Sequence, residues 1–174
     1  TGTLTIGRDS AATSYSSTAA TSNAAITLPT IIAAFGTFTS SGTVSVATTL
    51  QTLSTGAAVF SGAVSGAGAV NDAGSITIAS GGTFNMPGLI TITASGSLNI
   101  SGQYTAPVVG NQTFSGTINM NNGGTFVNNL KGSAGSILNI GGLNTGGSDT
   151  NLTETYSLSN FTTININKIT TGST

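Results

Sequence analysis

The middle of the chain reads GSITIASGGTFNM at residues 74–86, SGSLNISGQY at residues 95–104 and SGTINMNNGGTF at residues 115–126. Its short runs alternate apolar residues with small polar ones, which is the pattern of a strand with one buried face. Gly, Asn and Ser separate the runs and favour turns, because Gly and Asn tolerate positive φ. The stretch therefore predicts a succession of short β-strands.

The runs also repeat along the chain. A pattern of Gly, Ser or Thr, apolar, polar, apolar begins at Gly74, Gly96 and Gly116, and begins with one extra residue at Gly135. A second alternating run trails each of the first three by about eight residues and begins at Gly82, Gly102 and Gly124. A period of about 20 residues with small polar corners is typical of the coils of a β-solenoid. We therefore expect an all-β fold, a short parallel solenoid with two strands in each repeat.

One polar position recurs in every repeat, as Thr77, Asn99, Asn119 and Asn139. In a solenoid these residues stack on one another, and their side chains are expected to form an Asn/Thr ladder of hydrogen bonds. The same runs allow an antiparallel alternative. Residues 75–86 and 117–128 could each form a hairpin, and several hairpins build a β-sandwich or jelly roll, here a pilin-like subunit with a donated N-terminal strand.

The N-terminal part of the chain differs from the rest. Residues 7–30 are rich in Ala, Ser and Thr with little alternation and resemble a linker, an arm or a cap, whereas residues 1–6 are one alternating strand. We therefore divide the chain into an N-terminal strand and arm, residues 1–35, and a β-rich repeat domain, residues 36–174. The candidate assembly residues are those of the isolated strand: Thr3, Leu4, Thr5 and Ile6.

Charge is nearly absent from this chain. Three basic and four acidic residues make up 4% of 174 residues, with a net charge of −1, against roughly 25% charged residues in ordinary domains. So weak a field does not attract nucleic acid, and near-neutral proteins tend to associate. The longest apolar stretch, residues 24–35, contains Pro29 and is too short to span a membrane. Copies of the chain itself are therefore the expected partner, with surfaces or glycans outside the cell as others.

Residues that carry chemistry are few. There is no His or Cys, which removes the usual bases, nucleophiles and metal ligands, so we expect neither an enzyme nor a cofactor. Asp149 and Glu154 are the closest carboxylates and the only candidates for glycoside hydrolysis. Either that pair or Asp72 could contribute to a Ca²⁺ site, although Asp72 is read as a turn residue.

The phrases GSITIASGGTFNM, SGSLNISG and SGTINMNNGGTF at residues 74–126 resemble the coils of secreted β-helical surface adhesins, the autotransporter passengers and filamentous-haemagglutinin-type repeats. The resemblance implies an exported, cell-surface protein without enzymatic activity. Those passengers are long arrays, whereas a short unit gains length by assembling.

The expected function is a structural subunit of a self-assembling extracellular filament or surface layer, joined head-to-tail by strand pairing or by donation of residues 1–6. One alternative is a monomeric adhesin or glycan-binding module with exposed aromatics such as Tyr104 or Tyr156. An ice-binding protein with Thr-x-Thr rows and a polysaccharide-active enzyme are further alternatives.

Overall fold

A computed structural model of the chain describes residues 3–6, 19–22, 24–121, 123–141, 143–144, 158–166 and 169–170. Nearly all regular structure in these residues is strand, apart from one turn of 3-10 helix at Val109–Asn111. Every strand pair among them is parallel. The predicted β-solenoid is thus confirmed, and the antiparallel sandwich is wrong.

The strands form three stacks, and each coil of the chain passes through the first, the second and then the third. The first stack holds residues 26–28 of β3 (Ile26–Ser40), residues 44–46 of β4 (Val44–Phe60), β5 (Ala63–Ser65), β8 (Thr83–Asn85), β11 (Gln103–Thr105) and β14 (Thr125–Val127). The second holds β1 (Thr3–Ile6), residues 30–33 and 49–52, β6 (Ala69–Asp72), β9 (Ile90–Ile92), β12 (Gln112–Phe114), β15 (Leu130–Lys131) and β18 (Leu158–Ser159).

The third stack is the most regular. It holds β2 (Ala19–Ser22), residues 37–40 and 57–60, β7 (Ser75–Ile78), β10 (Ser97–Ile100), β13 (Thr117–Met120), β16 (Ile137–Ile140) and β19 (Thr163–Ile166). The two remaining strands, β17 (Leu143–Asn144) and β20 (Ile169–Thr170), pair with each other.

Alternation along each strand builds the core. Because successive side chains of a strand point to opposite faces, every second residue enters the interior, and like residues of neighbouring coils stack. In the third stack the inward residues of five successive strands are fully buried: Ala58 and Phe60, Ile76 and Ile78, Leu98 and Ile100, Ile118 and Met120, Leu138 and Ile140. Each large apolar side chain buried in this way contributes about 1.5–3 kcal/mol to folding.

Aromatic side chains continue the core between stacks. Phe38, Phe60, Phe84 and Tyr104 are buried, and their rings follow one another at centroid distances of 5.9, 6.1 and 6.0 Å. These are the spacings at which aromatic pairs attract each other beyond their area burial. The aromatic residues of the strands thus pack the interior.

The repeated glycines lie where neighbouring coils approach each other. A Cβ at Gly96 would lie 2.2 Å from the carbonyl oxygen of Asp72 in the preceding coil, and one at Gly116 would lie 2.2 Å from that of Thr93. Gly74 has the same surroundings, with two carbonyl oxygens at 2.2 Å. In these three coils the corner leaves no room for a side chain, which explains why their repeats begin with Gly, whereas the next coil places the buried Ser136 at the same position.

The structure differs from the sequence prediction in two respects. Each coil has three strands rather than two, since the second-stack strands such as β9 and β12 add to the two alternating runs that the repeat marks. In addition, β2 and the start of β3 fall within residues 7–30, so residues 19–22 and 26–30 are strand rather than linker. The predicted boundary at residue 35 falls inside β3.

Candidate assembly surfaces

The recurrent polar column lies on the outer side of the third stack. Thr77, Asn99, Asn119 and Asn139 take the same register position in adjacent strands, and Asn165 of β19 extends the column. A donor–acceptor chain of side-chain amides connects the four asparagines. The Nδ2 of Asn119, Asn139 and Asn165 donates to the Oδ1 of the asparagine one coil earlier, at 2.8, 2.8 and 2.9 Å. Thr77 is aligned with this chain, but Asn99 donates to the Oγ of Ser75 instead, at 3.1 Å.

This amide ladder has a direction. All its donors face the N-terminal end of the solenoid and all its acceptors face the C-terminal end. Among the described residues nothing donates to the Oδ1 of Asn165, so the last amide presents an acceptor at the C-terminal end. The ladder therefore gives the third stack a polarity that a neighbouring molecule can match.

The C-terminal end of the solenoid exposes apolar side chains. Ile164 and Ile166 occupy the inward positions of β19, where they are 43% and 48% exposed, whereas Leu138 and Ile140 one coil earlier are buried. Among the described residues, β19 pairs only with β16. The inward columns of the core thus continue to an uncovered last strand.

The N-terminal end presents the other open edge. The candidate assembly residues Thr3, Leu4, Thr5 and Ile6 form β1, which pairs in parallel with residues 30–33 of its own chain. The neighbouring strand β2 pairs with residues 37–40. In the part of the chain that the structure describes, neither strand has a partner on its other edge.

Asp72 is a buried acid that the sequence did not reveal. It is the last residue of β6, and it points into the core with no exposed surface rather than lying in a solvated turn. Its Oδ1 accepts hydrogen bonds from the hydroxyl of Thr52 and from the backbone N–H of Gly74, while its Oδ2 is buried without a partner among the described residues. Desolvation raises the pKa of Asp72 to about 6, and these hydrogen bonds offset only part of that rise.

The residues considered for metal binding or hydrolysis do not converge in the described structure. Within the described ranges there is no group of three or more His, Cys, Asp or Glu side chains that could hold a metal ion. Asp149 and Glu154 lie outside the described residues.

Tyr104, named as a candidate glycan platform, is fully buried, and burial raises the pKa of its hydroxyl well above the ordinary value. It offers no surface to a ligand. Tyr156, the second candidate, lies outside the described residues.

The Thr rows considered for ice binding are interrupted. Thr37 and Thr39 lie side by side in the third stack, but the next coil places Ala57 and Val59 at the same positions. Thr91 belongs to the second stack instead. The threonines therefore do not form one continuous array.

One further apolar patch lies away from the ends. Leu89 before β9, and Val108 and Val109 before β12, are 47%, 71% and 36% exposed. The side-chain amide of Asn111 donates to the carbonyl of Pro87 at 3.1 Å and holds this corner to the coil before it. The patch is small and lies on the side of the solenoid.

Comparisons with protein-family models, with curated proteins and with solved structures find no match to this sequence. Among the described residues, no helix has the length and apolar character needed to cross a membrane.

Proposed function

We propose that this chain is a structural subunit of a self-assembling filament or surface layer outside the cell, in which copies join head-to-tail by parallel strand pairing. The observation that carries the proposal is the pair of open edges, β1 and β2 at one end and β18 and β19 at the other. Unpaired strand edges are templates for another chain, and proteins usually block them with charge. None of these four strands contains a charged residue.

The exposed core at the C-terminal end supports the same function. Among the described residues, Ile164 and Ile166 are the only exposed large apolar side chains at inward positions of a strand, where they continue the columns of the buried Leu138 and Ile140. Covering them with a further coil would bury both, which is favourable at about 25 cal/mol per Å² of apolar surface. A head-to-tail contact need not close on itself, and repetition of one that stays open gives a filament.

Of the two ways of joining considered, edge pairing is the better supported. Donation would require β1 to leave residues 30–33, with which it already pairs in its own chain. Deleting residues 1–6 tests donation. If β1 is donated, the shortened chain folds and stays monomeric, and polymerisation of the shortened chain would rule donation out.

The test is electron microscopy of the purified, undenatured protein at near-neutral pH, for the native chain and for Ile166→Lys. The native chain should form regular filaments. The lysine puts a charge on the open edge at an inward position and should leave short oligomers or monomers. The matched control is Val108→Lys, which charges an equally apolar but lateral side chain, 71% exposed.

Circular dichroism of each variant checks that the β-structure is retained. Filaments of the native chain and of Val108→Lys, together with their loss in Ile166→Lys, support the proposal. Dispersed single particles of the native chain contradict it, as do undiminished filaments of a folded Ile166→Lys.

A further inference from the structure

Among the described strands, each end of the solenoid has one open edge in the second stack and one in the third. The second stack begins with β1 and ends with β18, and the third begins with β2 and ends with β19. A second copy placed on the C-terminal end therefore offers one strand for each of these two open strands. Neither stack is left with a gap or an extra strand.

The register of the joint follows from the register within each stack. In the third stack, Thr21 pairs with Thr39, and Asn139 and Asn165 occupy the same register position in the last two strands. In the second stack, Thr5 pairs with Ile32, and the same position passes to Lys131 and Ser159. The intermediate strands keep this alignment through their own pairs.

We propose that copies join by in-register continuation of the second and third stacks, with β18 and β19 of one copy paired in parallel with β1 and β2 of the next. This joint places Thr21 of the second copy beside Asn165 and Thr5 of the second copy beside Ser159. It rests on the proposed filament function and adds the pairing partners and the polarity. The occupant of the open end is a second copy of this chain.

Two observations favour this joint over a symmetric one. Every described strand pair is parallel, and only a head-to-tail copy continues that pattern, whereas a tail-to-tail copy would make β19 meet itself antiparallel. In addition, the Asn ladder ends on an acceptor at Asn165, so two C-terminal ends would face each other with acceptors alone.

The absence of Cys makes disulfide mapping a direct test, because every thiol is then an introduced one. Adjacent strands lie about 4.8 Å apart, within the Cα separation that a disulfide spans. Asn165→Cys and Thr21→Cys chains are mixed, assembled and oxidised, and Ser159→Cys with Thr5→Cys provides a second, independent pair. The control mixes Asn165→Cys with Thr113→Cys, a position in the middle of the second stack.

We expect both mixtures to form filaments in which disulfides link neighbouring subunits. The disulfide yield should be at least ten times that of the control mixture. If filaments form but neither cysteine pair links, the proposed register is wrong and the filament function stands. If Asn165→Cys links only to itself, the contact is tail-to-tail, and the proposed register is again wrong while the filament function stands. Native chains that form no filaments refute the filament function, and the joint with it.

Discussion

Asp72 makes the stability of this protein depend on pH in an unusual direction. Burial raises the pKa of its carboxyl from an ordinary 3.8 to about 6, so the folded chain holds the proton more tightly than the unfolded chain does. The protonated Asp72 carboxyl therefore adds to the free energy of unfolding. This contribution is complete below pH 3.8 and is lost as the pH rises through 6. Each pH unit of difference between the two pKa values corresponds to about 1.4 kcal/mol, which makes the loss about 3 kcal/mol.

The perturbation is Asp72→Asn. The amide oxygen can still accept hydrogen bonds from Thr52 and from the N–H of Gly74, but it does not titrate. The free energy of unfolding is measured by urea titration, followed by circular dichroism, at low protein concentration from pH 3.5 to pH 7.5. The native chain should lose about 3 kcal/mol over this range, and the variant should lose much less.

The composition of the chain simplifies the interpretation of this pH dependence. The chain has four carboxylate side chains and no His, so few other groups titrate in the same range. If the native chain and Asp72→Asn lost stability in parallel between pH 4 and 7, the argument from the buried carboxyl would be refuted.

Two substitutions test the coil-to-coil contacts, with free energies of unfolding as the readout. Asn119→Ala breaks both ladder bonds of that residue and should lower the free energy of unfolding by about 1–3 kcal/mol. The control is Thr113→Ala, at an outward, exposed position, which should lower it by less than about 0.5 kcal/mol. Equal losses in the two variants would show that the ladder does not contribute to stability. Gly96→Ala brings a methyl group against the carbonyl oxygen of Asp72, 2.2 Å away, and should destabilise by about 2 kcal/mol or more. The control is Gly110→Ala, where the new methyl meets nothing within 4 Å, and a Gly96→Ala variant as stable as this control would show that the corner is not tight.

The repeat carried most of the fold prediction. Alternation in runs such as residues 75–78 and 97–100 identified the strands, because successive residues of a strand face the core and the surface in turn and are therefore apolar and polar in turn. The spacing of Gly74, Gly96 and Gly116 gave the coil length, since those corners admit no side chain. The third strand of each coil escaped detection, because no glycine directly precedes β9, β12 or β15 to mark it as part of the repeat.

Residue types and their period are enough to predict an all-β, nearly uncharged chain with coils of about 20 residues and a recurrent Asn position, because these features are local. The folded structure was needed to show that all described pairs are parallel, that each coil has three strands, and that Asp72 is buried beneath Thr52 of the preceding coil. Only the structure, too, placed residues 3–6 against residues 30–33 of their own chain and left Ile164 and Ile166 uncovered. The reason is physical: pairing, burial and exposed edges are relations between residues 20 or more positions apart, and the alternation within one strand is the same whichever strand it pairs with.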